Sequence, residues 1–302
     1  MINYCYLTQL IDTSSASSKT YITSANVSKN FCRFCKKTEG LKFKKDAHVI
    51  PYSVGNKFYL HREECDSCNE FFSLYENSFS NHFSLYCLVN GISKRDGEFK
   101  KIKDYKNKNS IKYIKHKNRL EVEHIEFDKD NPTLMPLSFL QREPFCNKWH
   151  FLRVLLKISY TFLSYNELSQ YEAIRKLIMS NDNEFIKNFK TNCCVTLQYL
   201  PAPVSEGIML FHSPLFIYKN NLEGNLFILI IGKEVYTLII FSHKNLFLSN
   251  NSSEELNIVY FCQDHLDLSS ILRRVGPIPL FSDFEEISDS HFNREITVSL
   301  TN

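Results

Sequence analysis

Hydrophobic and polar positions change period several times along the chain. From Asn147 to Leu163, "NKWHFLRVLLKISYTFL" places Trp149, Leu152, Leu155, Leu156, Ser159, Phe162 and Leu163 on one stripe, which predicts an amphipathic helix. Ser164 and Glu167 follow at capping-box spacing and predict a second helix running to about Met179. After Asn192 the pattern turns to short strands: "CCVTLQYL", "GIMLFHS", "LFIYKN", "LFILII", "VYTLIIF" and "NIVYFC". Near the start, Tyr4 to Leu10 reads as a single strand followed by a polar Ser/Thr link. "LEVEHIEFD" alternates like a half-buried strand before Asn131 and Pro132 break it.

No internal repeat is present. The expected class is α+β, in three parts: an N-terminal extension over 1–30, a small cysteine-rich module over 31–95, and a larger α+β domain over 96–302. The last would hold the helical pair and an antiparallel sheet.

Composition narrows this picture in a few places. With 302 residues, 43% apolar and 14% aromatic, the chain can bury one large core or two modest ones. Eight glycines and nine prolines exclude collagen-like and low-complexity classes. The start lacks the basic and apolar regions of a signal peptide. The most apolar run, Asn225 to Phe241, is split by Gly232, Lys233 and Glu234, so two strands of a hairpin are expected there. A membrane helix needs roughly 20 unbroken apolar residues. The expectation is a soluble, cytoplasmic protein with no membrane partner.

Ten cysteines in such a chain point away from a disulfide framework. Four form two C-x-x-C pairs, Cys32 with Cys35 and Cys65 with Cys68. That spacing lets both sulfurs of a pair face one tetrahedral ion, and thiolates suit a structural Zn²⁺. Twenty-nine residues separate the pairs, so the insert is itself a structured element. It holds "KKDAHVIPYSVGN", and with it His48.

The run "CRFCKK…KFKKDAHVIPYSVGN…ECDSCNEFF" resembles the HNH endonuclease family, in the branch whose ββα-metal core is clamped by a four-cysteine zinc site. The likeness covers about residues 31 to 85. It implies that His48 is the general base that takes a proton from water, a task suited to an imidazole at neutral pH. It implies a divalent cation, Mg²⁺ or Mn²⁺, at the phosphodiester, held through oxygen ligands. Asn69, directly after Cys68, matches the last motif position and would hold that cation. Where the family often places Asp, Glu or His immediately before the base, this chain has Ala47. Asp46, one residue further back, and Glu76, two helical turns beyond Asn69, are the alternatives for the missing acidic ligand. Asn56 would tie the two strands together, and His61 stands nearer the usual position for that role.

The stretch from Lys100 to Arg119 carries nine Lys or Arg in twenty residues, opposed only by Asp104. With Tyr105 and Tyr113 interleaved, it is a candidate phosphate contact without sequence preference. The implied partner is DNA, with RNA as the alternative, and the implied role in microbial cells is defence against foreign DNA. Two other functions fit the same residues. One is a nucleic-acid-binding module that has lost catalysis at Ala47. The other is a nuclease effector released when the C-terminal domain meets a small molecule or a protein trigger. Oligomeric state is not legible.

Overall fold

In the computed structural model of this chain, residues 18–21, 31–103, 110–117, 119–123, 149–181 and 229 are described with their side chains. The backbone alone is described at 3–11, 22, 137–142, 148, 193–199, 215–219, 224–228, 230–231, 234–241, 258–261, 278–279 and 293–298. The N-terminal half holds β1 (Asn3–Ile11), β2 (Thr20–Ile22), β3 (Tyr59–His61), α1 (Asp66–His82) and α2 (Ser84–Val89). Three strands follow, β4 (Lys101–Lys103), β5 (Ser110–Ile114) and β6 (Arg119–Glu123), and then β7 (Leu137–Arg142). The helices α3 (Lys148–Thr161) and α4 (Glu172–Met179) lead into β8 (Cys193–Tyr199), β9 (Leu215–Lys219), β10 (Gly224–Ile231) and β11 (Glu234–Phe241). Last come β12 (Ile258–Phe261), β13 (Ile278–Pro279) and β14 (Asn293–Val298).

The fold is α+β, as the patterning predicts. It divides into two units, each assembled from separated stretches of chain: Met1–Ile50, Asn56–Phe71 and Arg153–Glu286 in one, Pro51–Gly55, Phe72–Leu152 and Ile287–Asn302 in the other.

In the first unit, seven of the described strands form a sheet in the order β12-β1-β9-β10-β11-β8-β13, and β2 pairs with β3 separately. The apolar run 225–241 is the hairpin β10–β11, paired antiparallel from Gly224↔Phe241 to Ile231↔Glu234. Among the described residues no helix is long and apolar enough to cross a membrane. The expected helix at 147–163 is α3. The capping box at Ser164 and Glu167 is formed, with Ser164 N donating to Glu167 Oε2 at 2.8 Å. What it caps differs from expectation: Tyr165–Tyr171 is 3₁₀, and the α-helix begins only at Glu172. The expected strand "GIMLFHS" lies outside the described residues.

In the second unit, β4-β5-β6 form an antiparallel sheet with two unlike faces. Ile102, Ile111, Tyr113 and Val122 pack on Leu85 and Leu88 of α2. The opposite face carries Lys101, Ser110, Lys112, Glu121 and Glu123. Gly91 stands so close to Tyr113 that a Cβ would lie 2.5 Å from the ring, and its φ of +59° is costly for other residues. Phe79, Phe83 and Phe151 stack at centroid distances of 4.8 to 6.0 Å to form this unit's aromatic core.

Candidate functional site

The four paired cysteines converge. Their sulfurs all lie within 4.8 Å of one another, with Cys32 Sγ to Cys68 Sγ at 3.7 Å and Cys35 Sγ to Cys65 Sγ at 4.0 Å. A tetrahedral ion with metal–sulfur bonds of about 2.3 Å needs sulfur–sulfur edges of about 3.8 Å, so the donor set fits Zn²⁺. Among the described residues no other group of three or more His, Cys, Asp or Glu side chains gathers in this way. The first pair sits on a tight turn, with Lys36 N donating to Cys32 O (2.9 Å) and Cys32 N to Lys37 O (3.1 Å). Lys36 closes it at φ 60°, a left-handed conformation uncommon outside glycine. The hydrogen bond shared with Cys68 pulls the Cys32 thiol down to about 5, while burial pushes Cys65 up to about 11. Four thiolates this close repel one another unless a cation sits among them.

Between Cys32 and Cys35, Arg33 and Phe34 point away from the sulfurs into the protein. Arg33 donates from Nε (2.9 Å) and Nη2 (2.7 Å) to Glu63 Oε2. Its Nη1 donates to the carbonyls of Tyr160 (2.9 Å), Thr161 (3.0 Å) and Leu163 (2.7 Å) at the C-terminal end of α3. Helix ends leave such carbonyls without partners and carry partial negative charge, and one guanidinium answers both. Lys157, from α3, pairs with Glu64 at 3.2 Å, both fully buried. Arg175 of α4 donates to Phe34 O at 2.6 Å. The metal turn is thus bolted to α3 and α4 through charges that no motif advertised.

Toward the other side, the "HVIP" segment is not a full strand. His48 makes an isolated antiparallel bridge with Leu60, His61 N donates to Ala47 O at 2.8 Å, and Val49 N to Tyr59 O at 3.2 Å. Asn56 closes the loop between these segments. Its Nδ2 donates to Ile50 O (2.8 Å) and Tyr59 O (3.0 Å), and its Oδ1 accepts from Tyr59 N (2.9 Å). Every polar atom of a fully buried amide is spent holding two chain segments in register. Gly55, at φ 110°, makes the turn just before it.

The start of α1 is tied to the same segment. Asp66 Oδ1 accepts from the backbone N–H of Lys44 and Lys45, both at 2.9 Å, and Asp66 N donates to Lys42 O at 2.8 Å. One turn on, Asn69 Nδ2 donates to Asp46 O at 3.4 Å. Asn69 and Asp46 therefore meet, two residues from His48, which is largely buried. Ala47 is buried and offers no side-chain ligand. Asp46 faces outward, its carboxylate paired with Lys19 Nζ at 2.7 Å. Glu76 lies further along α1, where its backbone carbonyl accepts from Ser80 Oγ at 2.7 Å.

His61 has a different fate from the strand-tying role for which its position suited it. It is buried against Phe34, and neither ring nitrogen has a partner among the described residues. Burial, reinforced by Arg33 and Lys157, holds its pKa well below the usual imidazole value.

The basic run from Lys100 to Arg119 is largely spoken for. Lys101 and Lys112 both pair with Glu123, Lys117 and Arg119 with Glu121, and buried Lys100 donates to Ser80 O. The lysines, Lys101 first, hold the Glu123 carboxyl down to about 2. Lys103 and Lys115 remain, while Lys106 and Lys108 lie outside the described residues. Two acidic residues on β6, Glu121 and Glu123, beyond the run itself, pair with four of its nine basic side chains.

Residues 32–84 match the sequence model of the family described as HNH endonuclease, so this segment is similar to the HNH endonucleases. No curated protein and no solved structure matches the chain.

Proposed function

We propose that this chain, with its segment 32–84 similar to the HNH endonucleases, is a metal-dependent endonuclease that hydrolyses DNA phosphodiester bonds. The observation that carries the reading is the closure made by Asn56. Three hydrogen bonds from one buried amide fix Ile50 and Tyr59 around the segment that bears His48. Such a device suits a group that must be held in place for chemistry.

In this reading the cysteine quartet holds a structural Zn²⁺, and Asp46 and Asn69 hold a second divalent cation, Mg²⁺ or Mn²⁺, with Glu76 as the other acidic candidate. When bound, that cation offsets the charge that builds on the phosphate. His48 takes a proton from a water molecule, whose oxygen bonds to phosphorus as the ester P–O bond breaks. Asn56 and Asp66 keep His48 and Asn69 at a fixed separation. The remainder of the chain beyond residue 95 selects the substrate or controls the activity. Defence against foreign DNA is proposed from the family likeness alone.

A second reading is favoured by one observation. Buried Ala47 leaves the position before His48 without a ligand, which suits a module that binds nucleic acid without cutting it. One assay separates the two: plasmid cleavage by wild type and His48→Ala with Mg²⁺, Mn²⁺ or EDTA, alongside DNA affinity. Metal-dependent nicking that disappears in His48→Ala, with affinity nearly unchanged, supports the enzyme. Intact plasmid with tight binding by wild type supports the binding module.

A further inference from the structure

Lys19 stands outside every motif considered so far, in the stretch expected to be an N-terminal extension. The backbone beside it is well anchored. β2 pairs in parallel with β3 in the register Thr20↔Tyr59, Tyr21↔Leu60 and Ile22↔His61. Thr20 N donates to Phe58 O at 2.8 Å, and the Arg62 guanidinium stacks 4.0 Å over the Tyr21 ring. The segment is thereby stitched to the strand that also bridges His48.

From that anchor Lys19 Nζ reaches Asp46 Oδ2 at 2.7 Å, with side chains 57% and 43% exposed. Exposed ion pairs of this kind contribute little stability and part readily. Asp46 is also the residue whose backbone carbonyl receives Asn69. An ammonium therefore rests on the carboxylate proposed to take a divalent cation, and the two compete for the same oxygen. A cation that wins leaves Lys19 tethered at the site with its charge unspent. An ammonium on a flexible stem is a good partner for a phosphate oxygen.

We propose that Lys19 is a phosphate-binding residue of the nuclease site, parked on Asp46 until cation and substrate arrive and then turned to the phosphodiester. The proposal rests on the reading in which Asp46 holds the cation, and it adds a substrate contact from outside the segment 32–84.

The test uses full-length protein carrying His48→Ala, which keeps the substrate intact in Mg²⁺. The affinity of a short DNA duplex is measured across a salt series with Lys19 intact, with Lys19→Gln and with Lys19→Arg. One phosphate contact contributes about 0.9 to the slope of log affinity against log salt. The expected result is a slope about 0.9 shallower for Lys19→Gln and unchanged for Lys19→Arg. Mn²⁺ binding without DNA, followed by electron paramagnetic resonance, should be as tight or tighter in Lys19→Gln, since a competitor is gone. A Lys19→Gln protein with the parental slope overturns the proposal. So does faster cleavage at an unchanged slope in the Lys19→Gln protein with His48 intact, which would make Lys19 a plug. If wild type cuts and only the Lys19 effect is missing, the nuclease reading stands and Lys19 falls. If wild type neither cuts nor binds Mn²⁺, both fall together.

Discussion

Arg33 and Glu63 form an ion pair closed to solvent, with side chains 1% and 5% exposed and two guanidinium nitrogens on one carboxylate oxygen. The remaining Arg33 nitrogen, Nη1, is spent on three carbonyls at the end of α3. A planar fork can serve both partners at once, and a point charge cannot. This residue sits inside a metal-binding turn, so the turn and the helix share one anchor.

Arg33→Lys should therefore behave as a damaging change. Breaking one side of a buried pair costs about 3–5 kcal/mol, because the other charge stays buried without its partner. Chemical denaturation of the zinc-loaded protein should show that loss for Arg33→Met and a smaller one for Arg33→Lys, which keeps the charge but cannot reach Glu63 and the helix end together. Removing both charges, as Arg33→Met with Glu63→Leu, should recover part of it. A stability within about 0.5 kcal/mol of wild type for Arg33→Lys would refute the anchoring role.

Asn56 gives a sharper comparison. Asn56→Ala leaves Tyr59 N and Ile50 O without the Asn56 partner and Tyr59 O with Val49 N, at about 1–3 kcal/mol for each group left unsatisfied while buried. Asn56→Asp keeps the acceptor for Tyr59 N but sets carboxylate oxygen against two carbonyls. Asp should thus be no better than Ala, although it is closer in shape. Thermal melting of the three proteins side by side decides the order, and a near-native Asn56→Asp would contradict the assigned amide orientation.

His61 makes the first unit sensitive to acid. Unfolded histidine titrates near 6.5, while folded His61 is held well below that by burial, Arg33 and Lys157. Between those two values the unfolded chain binds the extra proton. Stability is therefore full above about pH 6.5 and falls as pH drops below it, by up to about 1.4 kcal/mol per pH unit. His61→Phe should flatten the fall. Melting temperatures from pH 8 to 5 read this directly, and zinc loss on acidification, common to both proteins, cancels in the comparison. Parallel curves would remove His61 from the account.

Zinc should be found at one ion per chain by elemental analysis. Cys65→Ser should lower that content, because a hydroxyl is a poor substitute for a thiolate. Chelation should open amide exchange over residues 32–69, where the backbone turns around the sulfurs. Full protection in a chelated sample would show that the fold of this segment does not depend on metal.

Much of the architecture was legible because it follows short-range rules. The β10–β11 hairpin announces itself through Gly232 and Lys233 between two apolar runs, and α3 through its stripe. The cysteine quartet follows from spacing alone. The 3₁₀ run after Ser164 was not legible, since a capping box marks a start without specifying which helix follows. Arg33, Lys157 and Lys19 escaped notice for another reason. Their partners lie 27 to 130 residues away, and a single charged residue carries no sign of a distant carboxylate or helix end. An arginine lodged between two metal cysteines is the one hint the chain did offer. The ion pairs of the basic run were not legible either, because the glutamates that answer four of its charges lie on the far side of a strand turn.

The bolts between the cysteine turn and the helices also bear on how the nuclease segment can be moved. A fragment such as 31–95 would keep all four cysteines, His48, Asn56 and Asn69, yet it would lose α3 and α4. Arg33 would keep Glu63 but have no helix end to cap, and Glu64 would face its surroundings without Lys157. Transplanted alone, the segment would carry an acid and a base shaped for burial and newly wet. The cysteine turn thus shares its unit with chain from Arg153 onward, and the segment around it is not a cassette to be cut out and joined to another protein.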